Sequence, residues 1–235
     1  MLKKLALLYD LHGNLPACKA VWAEIRKEGI ENIVIGGDLA WGPQPKEVTR
    51  WVMELASKPG VWVIRGNADR EMAERHGVRE GLSDWVAEVN LWCADRLSEE
   101  ELRFLGNLPE KVALNVEDWG EVLFVHGSPR SDAEGIHADT PNSGIQEMVK
   151  GVTQRVLICG HTHVCLDRVV NGKRILNPGS VGLPLGTRGA SWAILGPDVE
   201  WRETMVDPER TARDFLATGV PRAEEFAKHV LDMTR

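Results

Sequence analysis

The sequence predicts an α/β fold in which two β-sheets pack face to face with helices on their outer sides. Continuous apolar runs of strand length recur along the chain without polar alternation, as expected of strands buried on both faces. Such runs alternate with helical patterns up to residue 67, whereas strands and hairpins dominate from residue 111 onward. These two observations together favour a four-layer α/β/β/α sandwich.

The predicted order up to residue 67 is β-α-β-α-β. The three strands are the apolar runs at 5–9, 33–35 and 61–64. The first helix has Asn14 as its N-cap and ends at Gly29, and the second runs from Pro45 to Ser57. Right-handed crossovers make the three strands parallel, so that their carboxyl ends lie along one edge of the sheet.

A helical insertion is predicted next, at about residues 80–107. Its two helices begin at Ser83 and Ser98, and Glu101 completes a capping box with Ser98. Seven further strands are predicted at 111–116, 122–125, 156–159, 166–170, 174–176, 190–195 and 199–205. Asn171 and Gly172 form a two-residue hairpin turn. Two C-terminal helices at about 207–235 are expected on the outside of a single domain that spans residues 1–235.

Composition excludes several classes of protein. The chain has 235 residues, of which 43% are apolar, enough to build a full core. The formal charge of −7 argues against general nucleic-acid binding, which needs clustered Lys and Arg. The four cysteines form no CxxC pair and indicate a reducing compartment. The first apolar run is too short for a membrane span or a signal peptide, so we expect a cytoplasmic protein, compatible with homo-oligomers.

Five of the predicted strands end directly in polar motifs. The motifs are Asp10-Leu11-His12, Gly36-Gly37-Asp38, Gly66-Asn67, Val125-His126-Gly127 and Gly160-His161-Thr162-His163. The first three recur at intervals of about thirty residues, the length of one βαβ unit, so these strand ends lie side by side. Ligands of open α/β sheets bind at the carboxyl ends of strands. The two Asp, one Asn and four His side chains are therefore predicted to converge as ligands for two metal ions.

In order and spacing, these motifs resemble those of the calcineurin-like metallophosphoesterases. The run Asn177-Pro178-Gly179-Ser180-Val181-Gly182 resembles the small bacterial and archaeal phosphodiesterase branch. The resemblance implies one ion held by Asp10, His12 and His163, a second held by Asn67, His126 and His161, and Asp38 as the bridge between them. A bridging carboxylate offsets the repulsion between two closely spaced cations. Imidazole and oxygen ligands suit Mn, Fe, Zn, Ni or Co, of which we favour Mn.

The resemblance also implies an activity. We expect a hydrolase that cleaves phosphodiester or phosphoanhydride bonds of a small phosphorylated substrate, nucleotides included, by metal-activated water. Asp38, Asn67 and Asp69 are the predicted catalytic residues, although a surface ion pair is the alternative for Asp69. Asn14 and Arg65 are assigned to substrate binding, and for Arg65 a structural ion pair is an equal alternative.

One position departs from the family pattern. Many relatives carry Gly-Asn-His-Asp, whose His assists the leaving group, whereas this chain has Gly66-Asn67-Ala68-Asp69. Alanine cannot donate a proton, so the resemblance carries over metal binding but not this general acid. Tyr9 is a second departure, because a small residue often precedes the first Asp. We expect its ring to narrow the pocket.

Other functions are compatible with parts of the pattern. A phosphomonoesterase or protein phosphatase would use the same motifs, and a non-catalytic metal-binding scaffold would keep the fold. A serine hydrolase is disfavoured, because the run from Pro178 to Gly182 lacks the first glycine of a nucleophile elbow. The substrate walls are expected from residues 68–107, 128–145 and 183–189. We expect Trp85 in the core and His76, His137 and His229 at the surface.

Overall fold

The computed structural model describes residues 1–233, which form ten strands and eight α-helices. The strands are β1 (Leu5–Leu8), β2 (Ile33–Ile35), β3 (Val61–Val63), β4 (Lys111–Val116), β5 (Gly120–Val125), β6 (Val156–Ile158), β7 (Leu166–Val170), β8 (Lys173–Asn177), β9 (Ala190–Leu195) and β10 (Val199–Thr204). The helices are α1 (Leu15–Lys27), α2 (Pro45–Ala56), α3 (Asn67–Ala73), α4 (Asp84–Ala94), α5 (Glu99–Gly106), α6 (Asn142–Met148), α7 (Pro208–Thr218) and α8 (Ala223–Asp232). A short 3₁₀ turn, Val78–Glu80, precedes α4.

The strands form two five-stranded mixed sheets. The first has the order β10-β9-β1-β2-β3, in which β1, β2 and β3 are parallel and β9 pairs antiparallel with both β1 and β10. The second has the order β4-β5-β6-β8-β7, in which β5, β6 and β8 are parallel and β4 and β7 close the edges in antiparallel pairs. The carboxyl ends of both sets of parallel strands carry the polar motifs.

Side-chain alternation along β1 shows how the layers stack. Leu5 and Leu7 pack against residues of the second sheet such as Phe124, whereas Ala6 and Leu8 belong to the cluster that includes the helices of the first sheet. A third apolar cluster joins the other face of the second sheet to α6. Successive side chains of a strand point to opposite faces, so each sheet is buried on both sides. The predicted α/β/β/α sandwich is confirmed.

Local sequence features form the helix ends and turns that were predicted. The Asn14 side chain accepts a hydrogen bond from the Ala17 N–H at 3.1 Å and caps α1. Ser98 and Glu101 make both bonds of a capping box at the start of α5. The β7-β8 hairpin turns through Asn171 at φ 49° and Gly172 at φ 76°, the two positive values that a type I′ turn requires.

Two short helices, α3 and α6, were missed by the sequence analysis. Each has seven residues, fewer than the pattern of a helical face needs to be recognised. The two predicted C-terminal helices are present as α7 and α8, and the part of that prediction on Thr234 and Arg235 lies outside the described residues. Among the helices of residues 1–233, none combines the length and the apolar character needed to cross a bilayer.

Candidate metal centre

Six of the seven predicted metal ligands lie in two groups at the carboxyl ends of the parallel strands. The first group is Asp10, His12 and His163, and the second is Asp38, His126 and His161. Within each group, one ligand atom per residue lies within 4.8 Å of the others. Each group combines a residue that follows β1 or β2 with one that follows β5 or β6, so each is assembled from both sheets.

The backbone at these residues is unusual. Nine described residues other than glycine have φ in the left-handed region, and five of them are ligands of the two groups: Asp10, His12, Asp38, His161 and His163. A non-glycine residue in this region carries a strain of about 1–3 kcal/mol that the surrounding structure must sustain. Such strain concentrates at functional sites, so its presence at five ligands supports a functional role for the cluster.

Backbone carbonyls orient three of the four histidines. Nδ1 of His12 lies 3.1 Å from the Trp41 oxygen, Nδ1 of His163 lies 2.9 Å from the Leu183 oxygen, and Nδ1 of His126 lies 2.8 Å from the Gly36 oxygen. A carbonyl oxygen only accepts, so each Nδ1 carries the proton. In the neutral ring Nε2 then holds a lone pair that points into the cluster, the tautomer that a metal ligand requires.

The Nε2 atoms of the histidines lie in positions where a cation would bind. Those of His12 and His163 are 2.9 Å apart, and burial lowers the pKa of both rings, in the case of His163 to about 3. At neutral pH two lone pairs therefore face each other across a hydrogen-bond distance. Nε2 of His126 is buried and has no hydrogen-bond partner. As metal ligands, these nitrogen atoms suit divalent cations that prefer imidazole and carboxylate groups.

Asp38 lies between the two groups. Its Oδ2 is 3.6 Å from Nε2 of His12, and its Oδ1 is 3.4 Å from Nε2 of His126. Burial opposes ionisation, but the positive charge of His126 holds the pKa of Asp38 well below its usual range. Burial by itself would lower the pKa of His126, and the negative charge of Asp38 raises it to about 10. One carboxylate thus reaches ligands of both groups.

Asp10 is fully buried and accepts the His161 backbone N–H with both oxygens, at 3.2 and 3.1 Å. Burial raises its pKa to about 8, even though the charge of His126 opposes the shift. The bond to His161 ties the loop after β1 to the loop after β6. A bound metal ion would stabilise the ionised form of this buried carboxyl, which forms no ion pair with a Lys or Arg side chain of residues 1–233.

Asn67, the seventh predicted ligand, begins α3 beside the second group. Its Nδ2 donates to Glu71 Oε1 at 3.3 Å, which fixes the orientation of the amide, and its Oδ1 is buried without a partner. The next residue, Ala68, donates its backbone N–H to Asp38 Oδ1 at 2.9 Å. Asn67 therefore presents an unshared oxygen next to the residue predicted to bridge.

Asp69 is bonded to backbone groups beside the ligand cluster. It is fully buried, and its carboxylate accepts three backbone N–H groups at 2.8–2.9 Å, from Asp38, Leu39 and Gly66. Burial and the charge of Asp38 raise its pKa to about 7. These bonds join the loop after β2 to the loop after β3. Asp69 thus holds the backbone of Asp38, and its predicted catalytic role stays a prediction.

The two predicted substrate-binding residues are also engaged elsewhere. Both ends of the Asn14 amide are used, one to cap α1 and the other to donate to the Gly182 oxygen at 2.9 Å. The Arg65 guanidinium donates to the Gly106 oxygen at 3.1 Å and pairs with Glu110 at 2.9 Å. Arg65 thus makes the structural ion pair that was its alternative, and its side chain also lines a polar cavity beside His126. Substrate binding by Asn14 and Arg65 stays a prediction.

Tyr9 lies behind the ligands and does not narrow the site. Its ring is completely buried between the two sheets, and its hydroxyl donates to the Ile158 oxygen at 3.4 Å. A Cβ atom on Gly36 or Gly160 would overlap the Tyr9 ring. The glycines at two ligand motifs are therefore needed to accommodate this tyrosine, and the expectation of a narrowed pocket is wrong.

Residues that the motifs did not indicate line a cavity beside the first group. The cavity adjoins His12 and His163 and is lined by Trp41, Trp85, Leu183, Leu185, Arg222, Glu225, Phe226 and His229. Trp85 and the two leucines fall in segments predicted as walls. The contribution of α8 was missed, and the expectation that His229 lies at the surface is wrong. Trp41 follows Asp38 by three positions, the one local feature that could have indicated it.

Comparisons with known proteins agree with this geometry. A family model described as the calcineurin-like phosphoesterase superfamily domain matches residues 4–199. Phosphodiesterase YfcE of Escherichia coli is 28% identical over 83% of this chain and 89% of its own length. A crystal structure of hypothetical protein PH1004 from Pyrococcus horikoshii superposes with a TM-score of 0.83 at 25% identity, covering 97% of both chains. A metallophosphoesterase from Sphaerobacter thermophilus gives 0.76 at 26% identity, covering 98% of this chain and 99% of the other.

Proposed function

The chain belongs to the calcineurin-like phosphoesterase superfamily, and we propose that it is a two-metal hydrolase of phosphodiester or phosphoanhydride bonds. The observation that carries this proposal is the convergence of ligand atoms at the strand ends. Oδ1 of Asn67 is buried without a partner, and the Nε2 atoms of His12 and His163 face each other. Nε2 of His126 lies 3.4 Å from Asp38 Oδ1, where a cation would replace its proton. When bound, two divalent cations lower the pKa of a water and offset negative charge on the phosphate oxygens.

The chain itself supplies preorganisation. The His12, His126 and His163 rings are held by backbone carbonyls, and the Asp38 carboxylate is held by the Ala68 N–H. Hydrogen bonds of this kind fix the tautomer and direction of a ligand before it is used, and their loss typically costs about 10–100-fold in metal affinity or activity. The ligands therefore need little rearrangement to bind either ion.

The leaving group determines which esters such a site cleaves well. Ala68 lies beside Asp38 and provides no proton, and Asp69 has its carboxylate committed to three backbone N–H groups. The leaving groups of aryl diesters and phosphoanhydrides depart without being protonated, whereas sugar or serine alkoxides must be protonated to depart. This difference supports a phosphodiesterase or nucleotide phosphohydrolase over a phosphomonoesterase or protein phosphatase. The similarity to phosphodiesterase YfcE points the same way.

The proposal extends to the cell and the metal. Cys18, Cys93 and Cys159 are free and buried, which suits a reducing compartment, so we place the activity in the cytoplasm. Mn is favoured among the metals that suit imidazole and carboxylate ligands. The substrate is a small phosphorylated molecule, because the negative charge of the chain does not favour a polyanion.

A substrate panel tests this proposal. The protein is stripped with a chelator, reloaded with Mn, and its metal content is measured before assay against bis(p-nitrophenyl) phosphate, a nucleoside diphosphate and glycerol phosphate. We expect about two ions per chain, hydrolysis of the first two substrates in preference to the third, and loss of activity on chelation. No bound metal, together with activity that survives chelator, would contradict the proposal.

A further inference from the structure

We propose that the apolar cavity beside His12 and His163 binds the nucleobase of a nucleoside unit attached to the phosphate of the substrate. The inference deepens the proposed function and rests on it, because it names the substrate class of the same site. The cavity lies between helices α4 and α8 and the loops after β1, β2, β6 and β8, and its volume is about 290 Å³.

Aromatic rings form one side of the cavity. The Trp41 and Trp85 rings are 5.3 Å apart at 74°, and the Phe226 ring is 5.7 Å from that of Trp41. Nucleobases are bound in proteins mainly by stacking on aromatic side chains. Leu183 and Leu185 complete an apolar lining that would also shield a planar ring from water.

The exposure of Trp85 is the clearest indication that the cavity binds a ligand. Its side chain is 40% exposed although it contacts the buried Trp41, whereas the sequence predicted it in the core. Small-molecule sites are concave and apolar with a few polar groups, and an indole that is half open to a cavity suits such a site. A ligand ring placed against Trp85 would remove this apolar surface from water.

The cavity is joined directly to the ligand cluster. His12 and His163 line it, and the Trp41 and His12 rings are 5.6 Å apart. The carbonyl of Trp41 accepts the Nδ1–H of His12, and the carbonyl of Leu183 accepts that of His163. The same two backbone segments therefore orient metal ligands and form cavity walls. A phosphate at the cluster would have one of its substituents within reach of the cavity.

Polar groups in the wall fit a base better than a plain hydrocarbon. Nε2 of His229, a residue of the wall, is buried and has no hydrogen-bond partner among the described residues. Arg222 lies at the rim, where its guanidinium pairs with Glu225 at 2.9 Å. Buried polar atoms are nearly always satisfied, so an unpaired ring nitrogen indicates a missing partner, such as a polar group of a base.

Size and charge limit the ligand to one nucleoside unit. The volume is at the lower end of the about 300–1,000 Å³ of small-molecule sites, which is room for a single ring system with part of its sugar. The chain carries a formal charge of −7, and polynucleotides need a basic surface that tracks the phosphate backbone. The cavity is therefore suited to a mononucleotide ester or anhydride and not to a nucleic acid.

A binding experiment without catalysis tests the cavity. Adenosine, which has no phosphate, is titrated into the Mn-loaded protein, and binding is followed by saturation-transfer NMR and tryptophan fluorescence. We expect saturable binding that Trp85→Ala weakens about tenfold or more, the size that loss of one stacking partner produces. Trp201→Ala is the matched control, because Trp201 is 41% exposed on β10 and does not line the cavity.

The outcomes separate the possible occupants. Failure of adenosine to bind, or equal binding by the Trp85 and Trp201 variants, would overturn the proposal. Tighter binding of octanol than of adenosine would assign the cavity to an alkyl chain and would also overturn it. Leu185→Asp is a second variant that should also weaken adenosine binding. Leu185 is 48% exposed in the wall, so its replacement leaves the core intact.

A kinetic comparison keeps the two proposals distinguishable. The p-nitrophenyl ester of thymidine 5′-phosphate is compared with p-nitrophenyl methyl phosphate, which shares the leaving group but has no base. Trp85→Ala should raise KM for the first ester about tenfold, leave kcat nearly unchanged and leave the second ester unaffected. If neither ester is hydrolysed while adenosine still binds at Trp85, the proposed chemistry fails and the cavity assignment stands.

Discussion

The two candidate metal groups share one cluster but have different surroundings. Asp10, His12 and His163 adjoin the apolar cavity with Trp41 and Trp85. The second group, Asp38, His126 and His161, adjoins a polar cavity that is lined by Arg65, Arg70, Lys111, Arg130, Asp132 and Ser128. Similar ligands therefore lie between an apolar side and a charged side. On the proposed function, we expect the apolar side to contact the organic part of a substrate and the charged side to interact with its charged groups.

The two groups also differ in protonation. Burial lowers the pKa of His163 to about 3, and the nearby His12 reinforces the shift, so that the first group offers free lone pairs. At the second group the negative charge of Asp38 outweighs burial and raises the pKa of His126 to about 10. A cation must displace a proton from His126 there, whereas at the first group the nitrogens are unprotonated and the proton to be displaced is that of Asp10, whose pKa burial raises to about 8. The ions are thus expected to bind with different pH dependence.

The largest expected effect comes from the residue that the two groups share. Asp38→Asn removes the charge that reaches both His12 and His126, so both ions should bind weakly and hydrolysis should fall to the background. Metal content and kcat are measured on the folded variant. Asp214→Asn, at an exposed position of α7, is the control and should behave as the wild type. Near-normal turnover of Asp38→Asn would refute the bridging role.

The next effect concerns Ala68, beside the second group. Without a proton donor at this position, rates should fall steeply as the leaving group becomes more basic, because a positioned donor contributes about 10²–10⁴-fold. Aryl and alkyl phosphodiesters are compared by kcat/KM, and Ala68→His should improve the alkyl esters selectively. Similar rates for both classes, with chemistry rate-limiting, would show that another group donates the proton; His137, whose charge affects His161, would be tested first.

Single-ligand variants test whether the groups act separately. His163→Ala should remove one ion and leave the second group loaded, so the metal content should fall by about half. Activity should fall by about 10–100-fold or more, the loss that is typical of weakened metal sites. His126→Ala is the matched variant in the second group. If either variant loses both ions together, the two groups are one cooperative site and do not bind their ions separately.

The smallest expected effect is a loss of stability in the Asp132→Asn variant, in the wall of the polar cavity. The pair of Asp132 and Arg70 is bidentate, with distances of 2.8 and 3.0 Å, and the side chains are 16% and 23% exposed. Burial opposes ionisation of Asp132, but the hydrogen bond and charge of Arg70 hold its pKa below 3.8. Asp132→Asn should therefore cost about 1 kcal/mol at pH 7, somewhat more than a fully exposed pair.

The sign of the pH dependence follows from that depressed pKa. The unfolded chain takes up the proton first as pH falls, so the contribution of Asp132 is complete above the unfolded pKa and is lost as pH falls through the folded one. In urea denaturation, the deficit of Asp132→Asn should shrink below the usual aspartate value of 3.8. The exposed pair of Asp167 with Arg174 supplies the control, because Asp167→Asn should change stability less at any pH. A deficit that is independent of pH would assign Asp132 a packing role.

The sequence predicted the strand ends far better than the directions of side chains. Asp10, His12 and Asp38 were identifiable because parallel strands bring their carboxyl ends together whatever the details of packing. Asn14, Arg65 and Asp69 were assigned to the site because they are neighbours of ligands in the chain. In the structure each is committed to holding backbone or partner groups. Chain proximity does not determine where a side chain points, since that depends on contacts with distant segments.

The aromatic cavity was beyond sequence reasoning for the same physical reason. Arg222, Phe226 and His229 are separated from His12 by most of the chain, and they reach it only because α8 packs back over the first sheet. The apolar face of α8 predicts burial, and it does not indicate which element will be covered. Sequence patterns identify faces of helices, whereas the identity of the opposing surface is a property of the complete fold.

The packing of Tyr9 against Gly36 and Gly160 has a consequence for how this family can diverge. A Cβ at either glycine would overlap the Tyr9 ring, so neither glycine can mutate first without disrupting two ligand motifs. Replacement of Tyr9 by a smaller residue must come earlier and opens a void between the sheets, which is a tolerable intermediate by comparison. The three positions are therefore epistatic, with a preferred order of change. Lineages that keep a tyrosine at this position should keep both glycines. A small residue there relieves the contact at Gly36, whereas a Cβ at Gly160 would still lie 2.8 Å from Asp10 Oδ2.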